Sequence, residues 1–162
     1  MMFIGIDNGL SGGIVMMNEK QEILHKFIMP TVKIKGKTEY DVKRIVEILN
    51  VSEPAETFCV LEKSHVRPIS GKKACFNTGY GYGLMQGILE CIGIGYIIIS
   101  PQKWMKEILG DTMKDKKGSI LFCQRRWPNE SWRKTPLCKN IHDGLTDSAA
   151  IALFGLKYMA LK

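Results

Sequence analysis

The chain has 162 residues, 45% of them hydrophobic and 24% charged, which is enough for a single domain over residues 1–162 with a substantial buried core. The longest apolar stretch, 91–99, is too short to cross a bilayer, and no basic segment precedes the apolar N-terminus, so we expect a cytoplasmic protein with no membrane segment. The formal net charge of +7 favours a polyanionic partner.

The first part of the chain predicts three strands in an antiparallel meander. Residues 3–6 are continuously apolar, which is typical of a central strand. The segments 13–17 and 22–29 have the composition of two further strands.

The first strand ends at Asp7, which is followed by Asn8 and Gly9. Asn-Gly between two apolar runs predicts a tight turn, and Asp7 is then only a cap of that turn. The alternative is that Asp7 stands at the strand end to hold a metal or to face a phosphate. That alternative requires partners for Asp7 elsewhere in the chain.

Helices and strands alternate over the rest of the chain. The predicted elements are a helix capped within 38–41 that extends to 49, strands over 57–61 and 96–99, and helices over 76–92, 101–109, 118–127 and 144–161. This order predicts an α/β fold, in which a mixed five-stranded sheet with three antiparallel strands and then parallel additions is flanked by helices.

The predicted helix over 76–92 contains four glycines, at 79, 81, 83 and 87. Glycine costs a helix roughly 1 kcal/mol relative to alanine at each position. Such a cost indicates close packing against another helix or close approach to a ligand.

Acidic residues recur at the ends of elements. Glu62 closes the buried strand TFCVL, and Asp143 and Asp147 stand four residues apart at the start of the last helix, where both can point from one face. Glu62 also suits a polar strand end, and Asp143 suits a helix cap. Asp147 is followed by small and apolar residues, so its carboxylate needs a partner.

Carboxylates gathered at one edge of a sheet oppose one another's ionisation unless a cation compensates them. Hard oxygen ligands favour Mg²⁺ or Mn²⁺. Two such ions about 4 Å apart can activate a water molecule and stabilise the leaving oxygen of a phosphodiester.

Positive charge is concentrated in the segments 63–73 and 103–117. This distribution is expected if these segments follow a phosphate backbone, although solvated basic loops have the same composition. The candidate DNA contacts are Lys63, Arg67, Lys72, Lys73, Lys106, Lys116 and Lys117.

The five cysteines form no CxxC pair, which is typical of reduced thiols. The spacing of Cys123, Cys138 and His142 matches no common zinc site.

In order along the chain, several segments resemble those of the RuvC-type Holliday junction resolvases of the RNase H-like superfamily, particularly the short phage and prophage forms. FIGIDNGLSGGI resembles the first-strand motif, CVLEK the fourth-strand motif and HDGLTDSAAIALFG the terminal-helix motif. GYGLMQGIL and IISPQKWMKEILG resemble the glycine-bearing helix and the Pro-x-x-Trp-x-Lys segment, and DKKGSI resembles a basic turn.

The resemblance implies an RNase H-like fold and a homodimer that nicks four-way DNA junctions. The metal ligands it implies, for two Mg²⁺ ions that Mn²⁺ can replace, are Asp7, Glu62, Asp143 and Asp147. Lys116 is the implied active-site lysine. Many cellular members carry an acid where this chain has Gly144, so the fourth ligand is Asp143 or His142.

Other functions also fit these residues. A related nuclease would cut other branched DNA, such as forks and flaps, or an RNA–DNA hybrid, and a non-catalytic protein would only bind DNA. An actin-like ATPase needs a second phosphate loop and a second lobe, for which the chain is too short. Phe76, Tyr80 and Tyr82 are either stacking platforms for unpaired bases or ordinary core and interface residues.

Overall fold

The computed structural model describes residues 1–50, 53–65, 71–110 and 116–161, without the side chains of residues 116 and 117. Its strands are β1 (Met2–Asp7), β2 (Gly13–Asn18), β3 (Ile23–Ile28), β4 (Thr31–Ile34), β5 (Lys37–Tyr40), β6 (Thr57–Glu62) and β7 (Gly95–Ile99). Its helices are α1 (Val42–Leu49), α2 (Lys72–Ile92), α3 (Pro101–Trp104), α4 (Lys116–Arg126) and α5 (Asp143–Ala160), and α3 continues as a π-helix over Met105–Leu109.

Within the described ranges, five strands form a mixed sheet in the order β3-β2-β1-β6-β7. The pairs β1–β2 and β2–β3 are antiparallel, whereas β1–β6 and β6–β7 are parallel. The predicted sheet of three antiparallel strands with parallel additions is therefore confirmed.

Each face of the sheet is covered by its own helices. Alternate residues of β1 divide between the faces: Phe3 packs in the core under α5, and Ile4 and Ile6 pack under α1 and α2. Because side chains alternate along a strand, Asp7 at the end of β1 lies on the same face as Phe3.

Helix α5 lies directly on the backbone of β1. A Cβ atom at Gly5 would come within 2.0 Å of the Ser148 carbonyl oxygen and 2.4 Å of the Ala152 nitrogen. Only glycine permits this approach, which holds the N-terminal half of α5 against the strand that ends at Asp7.

The structure contains a hairpin that the sequence analysis missed. Strands β4 and β5 pair antiparallel from Thr31↔Tyr40 to Ile34↔Lys37, where we had expected part of a helix cap. The two turn residues Lys35 and Gly36 have φ values of 48° and 78°, as a two-residue type I′ turn requires. Helix α1 begins after it, and the Asp41 carboxylate accepts the Arg44 N–H as its cap.

Two local predictions are corrected. The turn after β1 is closed by a hydrogen bond from the Gly12 N–H to the Gly9 carbonyl at 2.8 Å, so Asn8-Gly9 do not form its centre. Helix α4 begins at Lys116 rather than after a basic loop that ends at residue 117, and residues 111–115 lie outside the described ranges.

Of the glycines in α2, only Gly81 is closely packed. A Cβ atom there would come within 2.1 Å of the Tyr40 hydroxyl, whereas Cβ atoms at Gly79, Gly83 and Gly87 would meet nothing within 4 Å. The prediction of close packing thus holds at one of the four positions.

Cys59 and Cys123 are buried, and burial raises the pKa of both thiols, so they remain protonated core residues. Within the described residues, no helix combines the length and the apolar character that a membrane span requires.

Candidate active site

Asp7 and Glu62 end neighbouring parallel strands on the same face of the sheet. The register pairs Ile6 with Leu61, so Asp7 and Glu62 each follow that pair by one residue. Both side chains lie on the α5 face, because they continue the alternation of Gly5 in β1 and of Val60 in β6.

The N-terminal half of α5 brings two further acids to this edge. Asp143 is the first residue of the helix and Asp147 lies one turn further on. The Asp7 backbone N–H donates to Ser148 Oγ at 3.3 Å, and Ser148 Oγ donates to the Gly144 carbonyl at 2.7 Å. Ser148 therefore ties the end of β1 to the helix turn that carries both acids.

The electrostatics of Glu62 show that three of the acids lie close together. The pKa of Glu62 is raised to about 7, by burial first and then by the nearby charges of Asp7 and Asp147. This pattern is expected for carboxylates that share one site without a cation to compensate them.

Trp104 is the residue that opposes this shift. Its indole Nε1 donates to Glu62 Oε1 at 2.7 Å, a hydrogen bond that lowers the pKa of Glu62. Trp104 is fully buried, so the bond also fixes the orientation of the carboxylate. The sequence analysis identified the segment that contains Trp104 but not the role of this residue. Its bond to Glu62 joins residues that are 42 positions apart, and no local pattern in the sequence predicts such a contact.

Asp7 has the first of the two roles that the sequence left open, and it also has the acidic neighbours that the second role requires. Its Oδ1 accepts the Gly9 N–H at 3.1 Å, so it caps the turn after β1. Its charge also acts on Glu62 and on the Tyr40 hydroxyl, whose pKa is raised to about 12 by burial first and by Asp7 second.

Asn8 is a second residue at this edge that sequence reasoning missed. Its carbonyl accepts the Tyr40 hydroxyl at 2.7 Å, and its Oδ1 accepts the Ser64 hydroxyl at 2.9 Å. Its Nδ2 is buried and has no hydrogen-bond partner among the described residues. These bonds tie the segments after β1 and β6 together and to the β4–β5 hairpin.

The presence of glycine at position 144, where many RuvC-type resolvases carry an acid, has a steric explanation. A Cβ atom at Gly144 would come within 2.5 Å of the Ser11 carbonyl oxygen and 2.7 Å of Gly12 Cα. No side chain, acidic or otherwise, fits there while α5 contacts the turn after β1. The neighbouring candidates for a fourth ligand are Asp143, whose Oδ1 accepts the Gly144 N–H at 3.0 Å, and His142.

His142 is partly buried, and its Nδ1 has no hydrogen-bond partner among the described residues. Burial lowers the pKa of His142, and the charge of Asp143 opposes that effect. A neutral imidazole beside a carboxylate is chemically suited to bind a metal.

The donor set at this edge suits Mg²⁺ or Mn²⁺, since Asp7, Glu62 and Asp147 supply only hard oxygen atoms. The charges of Asp7 and Asp147 disfavour ionisation of Glu62, and a divalent cation bound among the three carboxylates would relieve this repulsion. In the rotamers present, no three His, Cys, Asp or Glu side chains of the described ranges converge on one point closely enough to hold an ion.

The candidate DNA contacts are distributed around this edge. Lys63 follows Glu62 directly, Lys72 and Lys73 begin α2, and Lys106 lies in the π-helical turn after Trp104; all four are exposed. Arg67 lies outside the described residues, as do the side chains of Lys116 and Lys117, although both lysines belong to the first turn of α4.

The sequence matches no protein-family model and no curated protein. The structure resembles that of T. thermophilus RuvC in complex with a Holliday junction substrate, with a TM-score of 0.67, 18% identity, and coverage of 99% of this chain and 96% of that chain. A second structure of Thermus thermophilus RuvC has a TM-score of 0.61 and 16% identity over the same shares of the two chains. The chain therefore has the RuvC fold over nearly its whole length.

Proposed function

We propose that this protein is a metal-dependent DNA endonuclease that resolves four-way junctions by paired nicks, one from each subunit of a homodimer. The observation that carries the proposal is the coupling of Asp7, Glu62 and Asp147 at one sheet edge of a RuvC fold. One structure with that fold holds a Holliday junction substrate. The net charge of +7 and the exposed lysines around the acids suit a DNA partner.

In this proposal, Asp7, Glu62 and Asp147 hold two Mg²⁺ ions, with Asp143 or His142 as the fourth ligand. The ions, when bound, lower the pKa of a water molecule and neutralise the departing 3′ oxygen. Trp104 holds Glu62 in a fixed orientation, and Ser148 holds the end of β1 against α5. Loss of such an outer contact typically lowers metal affinity or activity by roughly tenfold or more.

The scissile phosphate would lie beside the N-terminus of α5, where the helix dipole favours an anion. Lys116 and Lys117 are the proposed cations that contact its non-bridging oxygens or counter charge in the transition state. Lys63 directly follows Glu62, at the end of β6. Lys106 lies in the π-helical turn that follows Trp104. These exposed lysines are suited to the DNA backbone on either side of the cut.

The homodimer is supported by one face of α2. Gly79, Gly83 and Gly87 follow one another at intervals of four residues, so they share a face of the helix, and a Cβ atom at any of them would meet nothing within 4 Å. Exposed glycines weaken a helix unless something else compensates the cost. A second copy of α2, approaching closely along this face, would supply that compensation.

The experiment that tests the proposed function is a cleavage panel with Mg²⁺. A fixed four-way junction, a fork, a flap, a linear duplex and an RNA–DNA hybrid of matched arm sequences are incubated with the wild-type protein. We expect paired nicks in the four-way junction and little cutting of the linear duplex, with Mn²⁺ able to replace Mg²⁺ and EDTA stopping the reaction.

Each other result points to a different function. Preferential cutting of forks, flaps or the hybrid would place the protein among nucleases with another substrate. Binding of the junction without cutting in either metal would indicate a non-catalytic DNA-binding protein, and the proposal would be wrong.

A further inference from the structure

The connection between α4 and α5 contains a basic loop over residues 131–142. The loop carries no acid and three positive charges, at Arg133, Lys134 and Lys139. An antiparallel bridge between Arg133 and Ile141 closes its base, and Asp143, the first residue of α5, follows it. The basic loop is therefore a closed element that leads directly into the acidic edge of the sheet.

Lys26 fastens the start of this loop to β3. Its ammonium group bonds to the Glu130 carboxylate, donates to the Ser131 carbonyl at 3.0 Å, and lies 5.0 Å from the centre of the Trp132 ring. The Lys26 side chain is only 19% exposed, and partly buried pairs are screened by salt less than exposed ones. These contacts hold the loop in place without using the charges of the residues that follow Trp132.

A groove separates the basic loop from α1 and the end of β3. It has a volume of about 380 Å³, and the buried side chains of Ile48 and Leu145 take part in its lining. Four positively charged residues also line it, namely Lys26, Arg44, Arg133 and Lys134. We call it the basic groove.

Two of these four charges are compensated within the protein and two are not. Lys26 and Arg44 each form an ion pair with a nearby glutamate. Arg133 and Lys134 are exposed, and neither forms an ion pair with another of the residues that the structure describes. The groove thus presents two uncompensated cations on a loop whose position is fixed by other contacts.

The basic groove adjoins the acidic edge from the side of β3. Gly13 pairs with Asp7 of β1 and with Ile28 of β3, so these three residues form a row across the sheet. Neighbouring strands lie about 4.8 Å apart, so Ile28, which lines the groove, is about 10 Å from Asp7. Leu145, another lining residue, lies between the two acids of α5.

The lysines already proposed to contact DNA lie on the other side of the acids. Lys63 follows β6 and Lys106 lies after β7, whereas β3 is the opposite edge strand of the sheet. A DNA strand that passes over the acids across the sheet would therefore meet Lys63 or Lys106 on one side and the basic groove on the other.

We infer that the basic groove binds the sugar–phosphate backbone of a duplex arm of branched DNA, with Arg133 and Lys134 in contact with its phosphates. The inference rests on the proposed function, because it takes DNA as the substrate. Cations on phosphates supply affinity and fix the position of the DNA without reading its sequence. The distance of about 10 Å corresponds to about three nucleotides at 3.4 Å per step, so these phosphates lie about that far from the one held at the acids. DNA is favoured over an acidic protein segment because one backbone can reach both the groove and the acidic edge.

The test measures binding of a four-way junction in EDTA, where nothing is cut, at several salt concentrations. Arg133→Gln and Lys134→Gln should each weaken binding about five- to tenfold near 0.1 M salt and reduce the slope of log affinity against log salt by roughly 0.9, as loss of one phosphate contact requires. Both side chains are exposed, so the variants should unfold at the same urea concentration as wild type. Lys20→Gln is the control with the same change of charge: Lys20 is exposed in the turn after β2, at the end of the sheet far from Asp7, and the slope should not change.

Ethylation interference on the same junction, also in EDTA, locates the contacts. Each phosphate that matters for binding of the wild-type protein is identified by the loss of binding when it is ethylated. Arg133→Gln should remove the interference at one or two phosphates, and Lys106→Gln should remove it at different ones, because the two residues lie on opposite sides of the acids. Loss of interference at the same phosphates in both variants would contradict the placement of the groove.

Wild-type affinity and salt slope in both Arg133→Gln and Lys134→Gln would overturn the inference and would leave the groove to another anionic partner, such as an acidic protein segment. An equal loss of slope in Lys20→Gln would also overturn it, because the effect would then reflect net charge alone. Failure of the proposed function gives a different result. A protein that binds as predicted but cuts no DNA in Mg²⁺ contradicts the proposed function alone, and one that cuts the junction while both variants bind like wild type contradicts this inference alone.

Discussion

The indole Nε1 of Trp104 donates a hydrogen bond of 2.7 Å to Oε1 of Glu62, joining a fully buried side chain after β7 to the carboxylate that ends β6. Glu62 is also repelled by Asp7 and Asp147. The bond favours the ionised form against that repulsion and limits the carboxylate's rotation. The proposed site therefore depends on a residue that carries no charge.

Trp104→Phe should weaken Mg²⁺ binding while the packing around residue 104 is largely retained. The phenyl ring retains most of the packing, but the donor is lost, so the pKa of Glu62 moves above about 7. We expect the Mg²⁺ concentration for half-maximal junction cleavage to rise about tenfold or more. Trp132→Phe is a matched control, because Trp132 is also buried and its Nε1 has no partner among the described residues. An equal effect in both variants would show that lost packing is the cause.

Glu62→Gln should stabilise the metal-free protein in a pH-dependent way. The pKa of Glu62 rises from 4.5 to about 7 on folding, so its contribution to stability is present below pH 4.5 and is lost as the pH rises through 7. Glutamine keeps an acceptor for Trp104 and carries no charge. The unfolding free energy of the variant, measured with urea in EDTA, should exceed that of wild type by about 2 kcal/mol more at pH 8 than at pH 5. A difference that does not change with pH would mean that Glu62 is not destabilised by its neighbours.

Gly144→Ala should move the start of α5 away from the turn after β1. The added Cβ would lie 2.5 Å from the Ser11 carbonyl oxygen, and backbone atoms cannot relax as a flexible side chain does. We expect a loss of about 1–3 kcal/mol in unfolding free energy together with slower cleavage. Gly95→Ala in β7 is the control, since its Cβ would meet nothing within 4 Å, and it should leave both quantities nearly unchanged.

Gly83→Lys tests the proposed dimer face. The position is open in a single chain, so the variant should fold and its helix should gain about 0.5–1 kcal/mol from losing glycine. A lysine between two copies of α2 would separate them, and sedimentation should show a change from dimer to monomer. Ala74→Lys, on an exposed position of α2 away from that face, should remain dimeric. A dimeric Gly83→Lys would place the interface elsewhere.

Much of this arrangement could be predicted from the sequence because it follows from short periodic patterns. The apolar run before Asp7 and the segment TFCVL before Glu62 both form buried strands, and their parallel pairing brings the two acids to one edge. The spacing of Asp143 and Asp147 likewise placed both acids in the first turns of α5.

The remainder depends on contacts between distant segments. Trp104, Ser148 and Tyr40 reach the site through hydrogen bonds to residues 42, 141 and 32 positions away in the chain. The hairpin of β4 and β5 was missed because its turn is Lys-Gly, which is a weaker turn signal than Asn-Gly, and because its strands have only four residues each and are almost wholly exposed. The reason why residue 144 is glycine appears only once α5 lies against the turn after β1.

The fourth ligand can be assigned by comparing two variants. Asp143→Asn should greatly reduce junction cleavage if its carboxylate completes the metal site, and His142→Ala should then reduce it less. The opposite order would assign the role to His142, whose Nδ1 has no partner among the described residues.

The most direct test of the account is single-turnover cleavage of a synthetic four-way junction by wild type, Asp7→Asn and Asp147→Asn in Mg²⁺, with junction affinity measured in EDTA. The account predicts that both variants bind the junction much as wild type does and no longer cut it. Asp147→Asn cutting at the wild-type rate would contradict the proposed metal site.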